Sequence, residues 1–326
     1  SNGTTTSPQP QQNKPIRILT VGDGDLSYSL ALLRCYGTLK NDDNSRISFS
    51  MTATTLLTPE EIVQTYKTAQ ANTDEIVQNY QHSSEILYTI DATKLKSSIH
   101  QNLKSHESLK NYDVVLFNHP HLGYQHLNDD AVHAQRHHAL LSHYFHSAKD
   151  MLNDKGGLVQ VSLCENQPCT WRVIQAAARS GYRLVHCSST AKPPHEYLNL
   201  AAANNNNNCE KLDVNEVVKQ EWKAPRKYRS GKLGSWHFLG RFGYTHRRTA
   251  GDADMSVHRS LDLVFALIID DVDDDKWWNS LCESANHQAK LCGLLSDDDE
   301  DDMGDISDAN HFYSCPICET NFDSED

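Results

Sequence analysis

The segment Ile18-Leu19-Thr20-Val21-Gly22-Asp23-Gly24-Asp25-Leu26-Ser27-Tyr28-Ser29-Leu30-Ala31-Leu32 constrains the fold more than any other stretch. A short apolar run ends in a Gly-Asp-Gly turn, and a helix-like apolar pattern follows at once. Such a β-turn-α unit opens a sheet that binds a dinucleotide or S-adenosylmethionine, because glycine lets the backbone approach a ligand closely. The turn reads Gly-x-Gly-x-x-Ser, so the third glycine of the dinucleotide fingerprint is missing, and no lysine follows to hold phosphate.

Behind this unit, strand-like and helix-like stretches alternate, as they do in an α/β fold. Strands are expected at 16–21, 46–54, 86–90, 113–117, 158–163, 182–187 and 261–269. Helices are expected from Leu26 to about Cys35, after Thr58-Pro59-Glu60-Glu61, over 129–152 and over 170–179. Thr58 with Pro59 and two early acids is a helix start in the expected form. The predicted architecture is a doubly wound, mostly parallel seven-stranded Rossmann-like methyltransferase sheet at 14–270, with an acidic C-terminal extension. A polar, disordered N-terminus is expected at 1–13 and a low-complexity insertion at 191–232, which contains the asparagine run 204–208. An acidic linker with a short amphipathic helix is expected at 271–310.

The net charge of −13 hides an asymmetry. Residues 252–326 hold 21 acids against 3 Lys and Arg, which leaves 27 basic against 22 acidic residues in 1–251. Within 219–248 nine basic residues stand against one acid and are interleaved with Trp222, Tyr228, Trp236 and Tyr244. That mixture suits phosphate neutralisation with base stacking, and equally a solvated loop. The nine cysteines, an odd and scattered set, do not form a disulfide framework, so a reducing compartment is expected. No run approaches the roughly 20 apolar residues of a membrane span, so no membrane partner is expected.

Ligands of open α/β sheets bind beyond the carboxyl ends of the strands. The turn at 22–27, with Gly22, Asp23, Gly24 and Ser27, the pair Asp91-Ala92 and the loop 118–123 should share that edge. Asp91 is placed to accept from an adenine amino group, or to cap the next segment. Thr54, with Thr55 and Leu56, stands where strand two ordinarily ends in an acid that holds ribose. Asn118-His119-Pro120-His121 is similar to the Asn-Pro-Pro-Tyr loop of amino-methylating enzymes, which makes Asn118, Pro120 and His121 the catalytic candidates. His121 titrates near neutrality and is the candidate base, or it merely lines the loop. Metal binding at Arg136-His137-His138 is not expected, because adjacent positions on a helix diverge.

With those residues, the chain resembles the large-subunit ribosomal RNA uridine-N3 methyltransferases. The matching elements are the segment from Val21 to Ser29, Ala53-Thr54, Asp91-Ala92-Thr93-Lys94-Leu95 and the stretch from Tyr112 to Gly123. Arg136, Gly157, Trp171 and Gly243-Tyr244-Thr245-His246-Arg247-Arg248-Thr249 extend it, and the likeness covers about 16–269. The resemblance implies a Rossmann-like fold, S-adenosylmethionine as methyl donor, ribosomal RNA as substrate and a nucleolar location. Pre-ribosomal proteins are further candidate partners. Tyr244, His246, Arg247 and Arg248 are the expected RNA contacts. A second reading is a non-catalytic RNA-binding or ribosome-assembly protein that retains the fold. A third is an adaptor acting through its acidic tail.

Near the end, Tyr-x-Cys-x-x-Cys-x-x-x-Phe around Cys315 and Cys318 reads as the first half of a zinc finger. A tetrahedral site needs two more ligands, so zinc is expected there only if the finger is complete in a longer chain.

Overall fold

The computed structural model describes residues 15–37, 48–102, 112–123, 130–153, 157–164, 167–192, 237–247 and 260–267. The expected N-terminal disorder, most of the 191–232 insertion, the acidic linker and the Cys315–Cys318 pair lie outside them.

The described chain runs β1 (Ile16–Val21), α1 (Ser27–Tyr36), β2 (Phe49–Thr54), α2 (Pro59–Thr65), α3 (Ala69–Asn79) and β3 (Ser84–Leu87). It continues with α4 (Leu95–Asn102), β4 (Val114–Asn118), α5 (Asp130–Lys149) and β5 (Leu158–Leu163). It closes with α6 (Gln167–Thr170), α7 (Val173–Ala178), β6 (Tyr182–Ser189) and β7 (Leu261–Leu267). The sheet order is β3-β2-β1-β4-β5-β7-β6. The first five strands pair in parallel, and β7 enters antiparallel between β5 and β6. This is the seven-stranded, mostly parallel, doubly wound Rossmann-like sheet.

Apolar side chains alternate between the two faces of the strands, so each face carries its own core. Ile18, Met51, Val114, Leu116 and Val264 pack against α1, α3 and the segment 238–244 on one side. Leu19, Val115, Val159, Val161 and Phe265 pack against α4, α5 and α7 on the other. Thr58 and Glu61 close the expected capping box at the start of α2, with Pro59 in the first turn.

Several bounds shift by a few residues, and three differences have a structural reason or consequence. The third strand is Ser84–Leu87, not 86–90, because Ile90 leaves the ladder to donate its N–H to the Thr55 carbonyl and still packs into the core. The helix expected at 170–179 is two short ones, broken where Arg172 takes the left-handed conformation at φ 49°. The reversed direction of β7 left no mark in its apolar composition. No described helix is long and apolar enough to cross a membrane.

Candidate functional site

From β1 the chain winds outward to β2 and β3, then returns to place β4 on the opposite side of β1. The crevice between the carboxyl ends of β1 and β4 is therefore the switch point at which open α/β sheets take their ligands. Val21 and Phe117 are register partners there. The turn holding Gly22, Asp23 and Gly24 and the loop holding Asn118, Pro120 and His121 thus leave adjoining strands at the same edge. Gly22 has φ +67°, and a Cβ on it would lie 2.6 Å from the Phe117 ring. Only glycine fits that corner.

Beyond the turn, two acids organise the start of α1. Asp23 accepts from the Ser29 N–H at 2.7 Å and Asp25 from the Ser27 N–H at 3.0 Å. They replace the cap that Leu26, left-handed at φ 62°, does not supply. The Asp23 side chain thus faces α1, which leaves its backbone on the turn. Ser27 points elsewhere as well, its hydroxyl donating to the Thr245 carbonyl at 3.2 Å. Burial, reinforced by the neighbouring Asp25, holds the Asp23 carboxyl well above the usual range.

Thr54, the expected cofactor contact, ends β2 at this edge with its side chain turned into the sheet. Thr54 is fully buried, and its hydroxyl donates to the Thr20 carbonyl at 2.8 Å, bracing β2 against β1. Asp91 caps a single 3-10 turn, accepting from the N–H and hydroxyl of Thr93 through the same oxygen, Oδ1. Ala92 begins that turn and packs partly buried against the second core.

Segment 237–247 crosses the edge from the far end of the sheet. It leaves β6 through the Phe238 N–H bonded to the Thr190 carbonyl. Arg34 of α1 pins it, donating to the Phe242 carbonyl at 2.7 Å while gripping Glu75 with two further bonds. Tyr244 arrives over β4, where its hydroxyl accepts from Asn118 Nδ2 at 2.8 Å and lies 2.9 Å from His246 Nδ1. Having accepted from Asn118, the hydroxyl has its own proton to give to His246.

Tyr244, an expected RNA contact, has only 4% of its surface exposed, and its ring packs in T-shaped contacts with Tyr28 and His237. His246 is largely enclosed, with its ring against His119. Arg247, an expected RNA contact, lies 3.5 Å from the Asp25 carboxylate beside the glycine turn, with most of its side chain covered. Arg248 lies outside the described residues.

The loop after β4 divides its two histidines. His119, at φ 49°, turns its ring between Cys164 Sγ at 3.4 Å and Ser260 Oγ at 3.3 Å. His121 turns the other way, toward α5. Its ring centre is 4.7 Å from that of His137 and 5.3 Å from that of His133, and Trp171 stacks on His137 at 4.0 Å. Pro120 is buried between the two histidines. The expected trio of Asn118, Pro120 and His121 is thus contiguous in the loop, but Asn118 and His121 belong to separate hydrogen-bonded groups.

Burial, with mutual repulsion among the rings, lowers the histidines. His246 is lowered to about 4 and His237 to about 3, while His119 falls well below the ordinary value. His137 is lowered to about 4 and His121 is also lowered. All are neutral at neutral pH, each with one lone pair. His133 and His237 carry no signal of their own in the sequence, His119 enters there only as part of the loop and His137 only beside His138. The His-x-x-x-His spacing of 133 and 137 was the one available signal.

The family described as rRNA (uridine-N3-)-methyltransferase BTM5-like matches residues 19–197, more than half of the chain. Among curated proteins, heavy metal-associated isoprenylated plant protein 41 of Arabidopsis thaliana is 28% identical over 164 residues, 50% of this chain and 28% of that protein. An uncharacterized protein of the same plant is 30% identical over 144 residues, 43% of this chain and 59% of its own length. The chain therefore spans less than two thirds of either relative. Among solved structures, a methyltransferase from Pyrococcus furiosus aligns at TM-score 0.32 and 16% identity, covering 53% of this chain and 67% of that one. A geranyl diphosphate methyltransferase in complex with GPP and sinefungin aligns at TM-score 0.36 and 8% identity, covering 79% and 74%. The chain belongs to the rRNA (uridine-N3-)-methyltransferase BTM5-like family.

Proposed function

We propose that the protein is an S-adenosylmethionine-dependent methyltransferase that methylates N3 of a uridine in large-subunit ribosomal RNA. One observation carries the reading. Asn118 Oδ1 is buried with no hydrogen-bond partner among the described residues, at the switch point beside the glycine turn. A buried acceptor left open is costly unless something fills it. The imide N–H of uridine is a donor of the required kind.

The glycine turn lies at the switch point where open α/β sheets hold a cofactor, and at Gly22 the Phe117 ring and a φ of +67° admit only glycine. The cofactor, when bound, supplies an activated methyl group. The chain's own residues hold the target. Tyr244 fixes Nδ2 of Asn118, so Oδ1 is the atom left to meet the N3 proton. Uridine N3 lies on the Watson–Crick edge, so the base must be unpaired or extruded to reach it. The departing proton needs a neutral acceptor, and the candidates on this edge are His121 and His246, whose Nδ1 lone pairs would first have to release the Gly123 N–H and the Tyr244 hydroxyl.

The test is methyl transfer from labelled cofactor to unmodified large-subunit ribosomal RNA, with nucleoside analysis of the product. Asn118→Ala should lower kcat by about 100-fold or more with cofactor affinity unchanged. Absence of 3-methyluridine would overturn the assignment. A second reading, a ribosome-assembly protein that retains the fold without turnover, is favoured by the absence of an acid among Thr54, Thr55, Leu56 and Leu57. Weak or absent cofactor binding would support it. A nucleolar location and pre-ribosomal partners belong to either reading, and imaging of the tagged full-length protein tests the location.

A further inference from the structure

We propose that His121, His133 and His137 form a binding site for one divalent transition-metal ion of the zinc class, which fastens the loop after β4 to α5. Their candidate ligand nitrogens all lie within 4.8 Å of one another. His133 and His137 are four residues apart on α5, so they share one face of that helix. Adjacent histidines diverge, which is why His137-His138 suggests nothing in the sequence. The pair four apart converges, and His121 comes to meet it from β4.

The surroundings suit ligation. His137 Nδ1 donates to the His133 carbonyl at 2.8 Å, which fixes the tautomer and leaves Nε2 with the lone pair. That lone pair now accepts from the Leu122 N–H at 3.1 Å. Nδ1 of His121 likewise accepts from the Gly123 N–H at 2.8 Å. Two consecutive backbone amides of the loop thus meet the imidazoles a cation would use, and an ion would displace them. Trp171 lies flat over His137 at an interplanar angle of 18° and walls that side from water. Nitrogens on tetrahedral zinc are about 3.4 Å apart for bonds of about 2.1 Å, so the three rings must close inward by roughly 1 Å.

Three imidazoles leave a fourth coordination position for water or another donor, the pattern of an open site. The donor set is nitrogen alone, which favours zinc, cobalt, nickel or copper over magnesium or calcium. Metal on His121 would also remove its lone pair from proton transfer, leaving His246 as the acceptor on this edge.

The site is tested by metal alone, without cofactor or RNA, so its failure is separable from failure of the methyltransferase reading. The full chain should carry Cys315→Ser and Cys318→Ser so that the C-terminal thiols cannot contribute. After chelator treatment, zinc is titrated in competition with a chromophoric chelator, and cobalt is followed by its visible absorption. One equivalent should bind, with a nitrogen-ligand cobalt spectrum. His133→Gln and His137→Gln should each weaken binding at least ~10–100-fold, the loss typical even of outer-shell changes. His143→Gln, on the same helix but outside the cluster, should leave it unchanged, and melting temperatures of the metal-free variants control for folding. The proposal is overturned by no binding, by one equivalent surviving in the His133→Gln/His137→Gln double variant, or by an equal loss in His143→Gln.

Discussion

Asn118 Nδ2 donates to the hydroxyl of Tyr244 at 2.8 Å, across 126 residues of sequence. An amide side chain has two faces that differ only in which atom is O and which is N, and a donor–acceptor partner on one side decides which is presented on the other. Tyr244 makes that decision here, with His246 behind it at 2.9 Å. Tyr244→Phe keeps the ring and its packing on Tyr28 and removes only the hydroxyl. We expect kcat for methyl transfer to fall about 10–100-fold with cofactor affinity unchanged, since misplacement of a positioning group costs rate first. An unchanged kcat would show that Asn118 is held by something else.

The glycine turn makes a sharper demand. Gly22→Ala adds a Cβ 2.6 Å from the Phe117 ring at a backbone angle of φ +67°. We expect a loss of about 1–3 kcal/mol in stability by urea unfolding, with cofactor binding lost by calorimetry. Gly24→Ala meets only the hydroxyl end of Tyr66, at 2.9 Å. Pairing it with Tyr66→Phe should restore most of whatever affinity it loses, which a purely backbone requirement at Gly24 would not allow.

Arg247 separates two accounts of the Gly-Tyr-Thr-His-Arg-Arg segment. As an RNA contact, its reversal to Glu would weaken RNA binding and leave the cofactor alone. Its position 3.5 Å from Asp25, which also accepts from Ser27 and Thr68, predicts damage at the turn itself. Arg247→Glu should therefore lower cofactor affinity and melting temperature together, in the absence of RNA. Calorimetry and a thermal melt check both, and an unaltered cofactor titration would return Arg247 to the RNA surface.

How much of this was legible in the sequence follows from the range of the interactions. The β1 turn, the α2 capping box and the parallel strands are specified by residues within a few positions of one another, and all were readable. The Tyr244–Asn118 bond was not legible, because an aromatic among arginines has the same composition whether it faces RNA or a buried amide. Only the return of 237–247 across β1 and β4 distinguishes the two. A threonine at a strand end reads as a ligand contact, and its place in sequence does not reveal that the Thr54 hydroxyl donates to Thr20 on the neighbouring strand. The histidine group on α5 was written in a spacing of four, and attention to neighbours one apart concealed it.

Asp262 on β7 supplies a pH dependence whose sign is opposite to that of the histidines. Its Oδ1 accepts from both Gln160 Nε2 at 2.8 Å and Ser162 Oγ at 2.6 Å, yet full burial outweighs these bonds and raises its pKa from 3.8 to about 6. The folded state therefore holds this proton more tightly than the unfolded chain does. Below pH 3.8 both states are protonated and nothing is lost. Between that pH and about 6 the folded state pays a growing penalty for ionisation, which then levels at about 3 kcal/mol. The lowered histidines act the other way, since His237 and His246 resist protonation when folded and destabilise the protein as the pH falls below about 6.5. Asp262→Asn isolates the first contribution, because Asn keeps an oxygen for both donors and cannot ionise. Relative to the wild type, the variant should gain about 2 kcal/mol more at pH 7 than at pH 4 in urea unfolding, whatever its offset at pH 4. A difference that stays flat over that range would mean Asp262 is ionised in the fold at no cost, with its two donors compensating fully for burial.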